Sequence, residues 1–210
     1  VGWKYYFPLL YLVKEQLAFL ILALIALIFG LKNILKSQSK NIRSILEWSR
    51  ENFVITAGLI FIAVYWTQAM TSPLNIGIRH VLPTFPFIYI IVARQVVRWK
   101  KELVVVPLLF WMIISVLIAY PYFLSYYNAL GGGTRDGYKI ATDSNYDWGQ
   151  DLKRLKNFVE ENKIQKIAID YFGGGNPQYY FGNKFESWWS AKGVPPIGSW
   201  FAISATFRQG

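Results

Sequence analysis

Arg79 and His80 stand where a polar turn meets an apolar run. His80 is the only histidine of the chain, and the run from Val81 to Val92 carries no charge. A guanidinium binds phosphate oxygens in a fork and an imidazole can add one hydrogen bond, so this pair has the chemistry of a phosphate site. The same arginine could instead anchor a helix end among lipid headgroups. The residue types alone do not decide between these two interpretations.

The densest polar stretch, residues 143–151, lies between a predicted strand and a predicted helix. In open α/β sheets ligands gather at such strand ends, so Asp143 and Asn145 are candidate ligand contacts. Asp147 is followed three residues later by Gln150, which is the spacing of a capping box and predicts a structural cap for the helix. Asp143 is not needed for that cap and is the first residue to test for ligand contact.

The sequence contains no pattern for a metal or a nucleotide. There is no cysteine, there is one histidine, and the acidic residues are scattered, so a transition-metal site is not expected. The glycine runs 131–133 and 173–175 lack the Lys-Ser/Thr continuation of a phosphate loop and are interpreted as hinges or tight turns. We expect neither a metal nor another cofactor.

The composition is that of a membrane protein: 54% of the 210 residues are hydrophobic and only 16% are charged. Residues 1–123 hold twelve Lys/Arg against four acidic residues, a net charge of +8, whereas residues 124–210 hold ten against eight, a net charge of +2. The excess cations lie in short loops between apolar segments, where membrane topology and anionic lipid explain them. Nucleic acid is therefore not an expected partner.

The predicted fold class is an α-helical membrane protein with about four transmembrane helices, followed by a small α/β soluble domain. Apolar segments predict spans at about 8–31, 53–70, 81–98 and 103–123. Lys14 interrupts the first segment. Either the span begins after residues 14–16, which then reach the surface, or Lys14 faces a polar cavity inside the protein. We favour the first alternative.

Two clusters of cations are separated by two predicted crossings, so both can lie in the cytoplasm, as the positive-inside rule requires. They are Lys32, Lys36, Lys40, Arg43 and Arg50, and Arg94, Arg98, Lys100 and Lys101. This arrangement predicts that Arg79, His80 and the part of the chain after the fourth span lie outside the cytoplasm.

Residues 1–127 form the predicted transmembrane region, and residues 128–210 form the predicted extracytoplasmic domain. Strands at 138–142, 166–171 and 200–207 with helices at 148–162 and 177–181 give a βαβ pattern. The chain has no initiator Met and stops just after a strand-like run. We therefore expect a fragment of a longer membrane protein with an incomplete sheet.

Four pieces, in order along nearly the whole chain, resemble the C-terminal part of bacterial multi-spanning (GT-C type) glycosyltransferases that are protein-mannosyltransferase-like. The Asp-Trp-Gly-Gln-Asp-Leu run is the most specific of them. The family often reads Lys-Thr-Pro where this chain has Lys14-Glu15-Gln16. The pieces are residues 5–8 leading to Lys14, 75–80 with 82–83, 126–128 before a glycine-rich turn, and 143–152.

The resemblance implies inverting transfer of a sugar from a polyprenyl-phosphate donor to an acceptor, at the outer face of the bacterial cytoplasmic membrane. It places the catalytic base in an external loop that is not among these 210 residues, so no catalytic residue is expected here. Arg79, with His80 and Lys14, would stabilise the leaving lipid phosphate. The partners it implies are the lipid-linked donor, membrane lipid and an acceptor.

Two other classes of function stay open. A transporter or flippase for lipid-linked sugars predicts inverted repeats and broken helices, and no internal repeat is detectable. A membrane-anchored, non-catalytic binding domain predicts that residues 128–210 bind a ligand by themselves.

Overall fold

The computed structural model of the chain describes residues 2–36 and 41–209. Lys40, one cation of the predicted cytoplasmic clusters, lies outside the described residues. The chain divides into two compact units, Val1–Thr134 and Arg135–Gly210. The sequence predicted a boundary after residue 127, whereas this division places residues 128–134 in the first unit. Asn128 is hydrogen-bonded to Leu12 and Glu15 of that unit.

The first unit is helical. Within the described residues, three of its helices are long and apolar enough to cross a membrane, over Leu17–Ile34, Phe53–Thr71 and Glu102–Ala119. Most residues of these segments are not buried within the chain, as expected for surfaces that face lipid or other helices. The helices are α1 (Tyr6–Lys14), α2 (Leu17–Lys36), α3 (Ile42–Glu51), α4 (Phe53–Thr71), α5 (Phe85–Trp99), α6 (Glu102–Ala119) and the short α7 (Gly133–Asp136) at the boundary.

The predicted first span, 8–31, is two helices. The helix α1 ends at Lys14, Glu15 takes an extended conformation with ψ 152°, and α2 begins at Leu17. The start of α2 agrees with the favoured alternative, in which the span begins after the polar interruption.

The predicted third span, 81–98, is wrong at its start. Two 3-10 turns, Ile78–His80 and Leu82–Thr84, precede α5, which has 15 residues and is about 23 Å long at 1.5 Å per residue. The Thr84 hydroxyl holds the second turn, since it donates to the carbonyl oxygen of Val81 at 2.7 Å and accepts from Trp66 Nε1 at 3.0 Å. Among the described residues, three helices are long enough to cross a membrane, rather than the four that the sequence predicts.

The fourth predicted span ends at Ala119 rather than at residue 123. Tyr120 has ψ 135° and precedes Pro121, which favours an extended conformation in the residue before it.

The helices of the first unit pack through small and apolar side chains. The helix α2 contacts α5 and α6 around a cluster of Phe19, Leu22, Ala26, Val92 and Val96. The helix α4 contacts α5 separately. Gly58 of α4 lies so close to α5 that a Cβ atom there would come within 3.2 Å of the Phe87 ring. A small residue at this position permits the close approach of the two helices.

The second unit is a small α/β domain with a three-stranded parallel sheet in the order β2-β1-β3. Ile167 pairs with Phe185 on one side and with Trp200 on the other. The core contains Leu152, Val159, Ile164, Ile167, Ile169 and Phe181. The elements are α8 (Leu152–Glu161), β1 (Ile167–Asp170), α9 (Pro177–Phe181), β2 (Phe185–Ser187), β3 (Trp200–Ile203) and α10 (Ala205–Gln209).

The predicted helix at 177–181 and the strand within 166–171 are confirmed. The predicted strand 138–142 is wrong: Gly137–Lys139 is a 3-10 turn, and the ring of Tyr138 packs against Tyr146. The strand predicted at 200–207 ends at Ile203 and continues as α10. The βαβ unit is therefore β1–α9–β2, one step later in the chain than predicted.

Candidate functional site

Lys14 is held by groups inside the first unit. Its Nζ donates a hydrogen bond to the carbonyl oxygen of Leu124 at 2.8 Å and lies 4.5 Å from the centroid of the Tyr127 ring. The interpretation of Lys14 as a surface anchor is therefore wrong. The ammonium is satisfied by a carbonyl and an aromatic face, which are the partners a partly buried cation needs.

Asn128 closes the C-terminal end of α1. Its side-chain Nδ2 donates to the carbonyl oxygens of Leu12 at 2.7 Å and Glu15 at 2.8 Å. The backbone N–H of Asn128 donates to the carbonyl oxygen of Val13 at 2.8 Å. Its Oδ1 accepts from the N–H of Leu130 at 2.9 Å. Because the last carbonyls of a helix lack partners within it, this one buried side chain completes α1. Sequence reasoning gave Asn128 no role.

Glu15 is a second residue that sequence reasoning missed. It is buried, with 8% of its surface exposed. One carboxylate oxygen accepts from the Tyr89 hydroxyl at 3.0 Å, and the other accepts from the N–H of Gln16 at 3.1 Å. A charged residue beside Lys14 was the available signal, but its partner Tyr89 lies 74 positions away.

Arg79 and His80 form the first 3-10 turn before α5. The Arg79 side chain is exposed. The His80 ring lies between two aromatic rings, with centroid distances of 5.5 Å to Phe7 and 5.9 Å to Tyr65. His80 therefore packs the turn against the start of α1 and the helix α4.

The three residues predicted to share one phosphate, Arg79, His80 and Lys14, are not all brought together. His80 contacts Phe7 in the first turn of α1, whereas Lys14 is its last residue. Seven helical residues separate these positions by roughly 10 Å. Arg79 and His80 are neighbours, and Lys14 supports the other end of the same helix.

In the second unit, Asn145 is buried, with 2% of its surface exposed, and its Nδ2 donates to the carbonyl oxygen of Thr142 at 3.2 Å. The expectation that Asn145 contacts a ligand is wrong, because its amide is used inside the fold. Asp143 is exposed, and its N–H donates to the Thr206 hydroxyl at 3.1 Å. It follows no strand, but its side chain stays open to a ligand.

The capping box predicted at Asp147 and Gln150 is also wrong. The helix α8 begins at Leu152 with Asp151 at its N-cap, because Gly149, with φ 75°, turns the chain out of a helical path first. Asp147 instead accepts from the N–H of Gly149 at 2.9 Å and from that of Ala205 at 2.8 Å. It holds the start of α10. The Gln150 side chain accepts from the N–H of Trp148 at 2.7 Å.

A cleft of about 570 Å³ opens where β1 and β3 end. Sequence reasoning treated its glycine run as a tight turn and did not find it. Its lining is aromatic side chains and glycine backbone, from Trp148, Tyr171, Phe172, Gly173, Gly174 and Phe207. Ligands of parallel α/β sheets bind at this edge.

Among residues 2–36 and 41–209, no three His, Asp or Glu side chains lie close enough to hold a metal ion. Comparison of the chain with protein-family models, curated proteins and solved structures gives no match.

Proposed function

We propose that this chain is the C-terminal portion of a membrane glycosyltransferase that moves a sugar from a polyprenyl-phosphate donor to an acceptor at the outer face of the cytoplasmic membrane. The proposal starts from the resemblance of four sequence pieces to protein-mannosyltransferase-like enzymes. It is supported by three helices long and apolar enough to cross a membrane.

The observation that carries the proposal is that three of these pieces, distant in sequence, meet around α1. The His80 ring contacts the Phe7 ring, with centroids 5.5 Å apart. Tyr127 lies beneath Lys14, and Asn128 bonds to the carbonyl oxygen of Glu15. Pieces that serve one site are expected to converge in this way.

Within this arrangement, Arg79 is the residue for the lipid phosphate. Arg79 is an exposed residue in the turns before α5, where its guanidinium can bind two phosphate oxygens and stabilise the negative charge that grows as the sugar leaves. His80 keeps the turn in place through its two ring contacts. Lys14 holds the far end of α1, a supporting role rather than a phosphate contact. The acceptor's proton is taken by a base outside these 210 residues.

The test is transfer of radiolabelled sugar from polyprenyl-phosphate donors by the full-length protein in membranes. We expect Arg79→Ala to lower transfer by about 10- to 100-fold, which corresponds to loss of a charge-assisted hydrogen bond. Arg50→Ala, at an exposed arginine of α3, is the matched control and should leave transfer unchanged. Unchanged transfer and unchanged donor affinity in Arg79→Ala would remove the assignment.

A further inference from the structure

Three aromatic residues that line the cleft of the second unit, Tyr171, Phe172 and Phe207, are held by contacts within that unit. The Tyr171 hydroxyl donates to the carbonyl oxygen of Gly149 at 3.0 Å and accepts from the N–H of Gly175 at 3.1 Å. Phe172 packs edge-on against Phe207 with ring centroids 5.6 Å apart. Walls that are already fixed lose little conformational freedom when a ligand binds.

Glycine is required around Tyr171. A Cβ atom at Gly149 would lie 2.2 Å from the Tyr171 hydroxyl, and one at Gly173 would lie 2.4 Å from it. The backbone at Gly149 and Gly173 therefore packs directly against the Tyr171 side chain. The floor of the cleft is formed by main-chain atoms rather than by side chains.

Two backbone donors remain open at this floor. In the described part of the chain, no hydrogen-bond partner is found for the amide N–H of Gly173 or of Gly174, and both residues are exposed. They lie in the loop that follows β1, three and four residues after Asp170, at the sheet edge where ligands of parallel sheets bind. An unpaired donor in a cleft is a place for an acceptor oxygen of a ligand.

The lining contains no Lys, Arg, His, Asp or Glu among the described residues, which fits an uncharged ligand. Trp148 and Phe207 line the cleft and keep 51% and 44% of their surfaces exposed. A ligand that matches both features has an apolar face for an aromatic ring and oxygen acceptors at its rim. A pyranose ring has both, since its C–H bonds form one face and its hydroxyls surround it.

We propose that this cleft binds a neutral pyranose sugar, which stacks on Trp148 or Phe207 while its hydroxyl oxygens accept from the N–H groups of Gly173 and Gly174. The volume of about 570 Å³ lies within the range of about 300–1,000 Å³ found for small-molecule sites. The inference goes beyond the proposed function. Binding is measured without a lipid donor, so its failure and a failure of sugar transfer are distinguishable.

The experiment uses the whole chain in phosphatidylcholine nanodiscs, since maltoside detergents would themselves offer sugar to the cleft. Saturation-transfer NMR is recorded with methyl β-D-glucopyranoside, methyl α-D-mannopyranoside and methyl β-D-galactopyranoside, and with adenosine as an aromatic competitor. We expect transfer to the C–H protons of at least one sugar. Absence of transfer to all three sugars, or transfer to adenosine only, overturns the proposal.

Trp148→Ala or Phe207→Ala should weaken binding about five- to ten-fold, the effect of losing one aromatic contact. Trp148→Phe or Phe207→Tyr, which keeps an aromatic ring at that position, should restore most of it, and this separates stacking from loss of fold. Trp189→Ala is the matched control, because Trp189 is 49% exposed and does not line the cleft. The proposal is wrong if Trp148→Ala and Phe207→Ala both bind sugar as well as the unchanged chain, or if Trp189→Ala weakens binding equally.

Discussion

The side-chain amide nitrogen of Asn128 lies 2.8 Å from the carbonyl oxygen of Glu15, 113 residues earlier in the chain. The same nitrogen lies 2.7 Å from the carbonyl oxygen of Leu12. One amide therefore satisfies two carbonyls at the end of α1, in a place where only 3% of the asparagine is exposed.

Replacing Asn128 should lower the stability of the first unit. Asn128→Ala leaves the carbonyl oxygens of Leu12 and Glu15 without their donor, and we expect a loss of about 2–4 kcal/mol in the free energy of unfolding. Asn128→Asp should cost more, because it turns an oxygen towards those carbonyls. Equilibrium unfolding in mixed micelles measures both, with the exposed Asn33→Ala as control. Equal stability of the Asn128 and Asn33 variants would show that the amide does not hold α1.

Lys14→Met should also destabilise the first unit, by about 1–3 kcal/mol. Methionine keeps an unbranched side chain that lacks the terminal ammonium, so it leaves the Leu124 carbonyl without the hydrogen bond and the Tyr127 ring without its cation. Lys32→Met, at an exposed position of α2, is the control in the same unfolding measurement. If Lys14→Met lowered donor binding while its unfolding matched that of Lys32→Met, Lys14 would be a phosphate ligand after all.

Gly173 and Gly174 should respond differently to alanine. Gly173 has φ 149°, and a Cβ there would meet the Tyr171 hydroxyl at 2.4 Å, so Gly173→Ala should cost about 1–3 kcal/mol. At Gly174 no atom lies within 4 Å of the added Cβ, so Gly174→Ala should stay within about 0.5 kcal/mol of the unchanged chain. Thermal unfolding followed by tryptophan fluorescence compares them, and a Gly174 variant as unstable as the Gly173 variant would contradict this geometry.

Asp147→Ala should release the start of α10. The change removes the acceptor of the Ala205 N–H, 58 residues away, so that amide should exchange with solvent faster. Hydrogen–deuterium exchange read by mass spectrometry over residues 203–209 measures it, with Glu186→Ala, at an exposed acid of β2, as control. Unchanged exchange at Ala205 would mean that the carboxylate does not hold this helix.

The predicted side of Arg79 is testable because the chain has no cysteine. Asn75→Cys should react with a membrane-impermeant maleimide added to intact cells, whereas Lys100→Cys should react only after the cells are opened. The reverse pattern would place Arg79 in the cytoplasm, facing away from an extracytoplasmic donor.

Most of the membrane-type helices were predictable, because the apolar runs of α2, α4 and α6 are long and nearly uncharged. The turns before α5 were not. The Thr84 hydroxyl stabilises them, because it accepts a hydrogen bond from the Trp66 indole and donates one to the carbonyl oxygen of Val81. Trp66 lies on another helix, and no local sequence pattern predicts that contact. The strand β2 has three residues, too few for an alternating pattern to be read.

The site was less predictable than the fold. Arg79 and His80 can be proposed as site residues from their type and position, but the hydrogen bond of Lys14 depends on Leu124, 110 residues away. Asp147 has the sequence of a cap, and it does hold a helix start, although that helix lies at the far end of the chain rather than next to it. Sequence spacing can suggest a cap only for a neighbouring helix, because it does not show which distant helix the fold brings next to Asp147.

The bond from Asn128 to α1 also fixes an order of biogenesis. The helix α1 is synthesised before α2 to α6, yet the group that completes its C-terminal end is made only after them. Until Asn128 has been added, the carbonyl oxygens at the end of α1 lack this donor, so the packing of α1 is completed only after α6 has been synthesised.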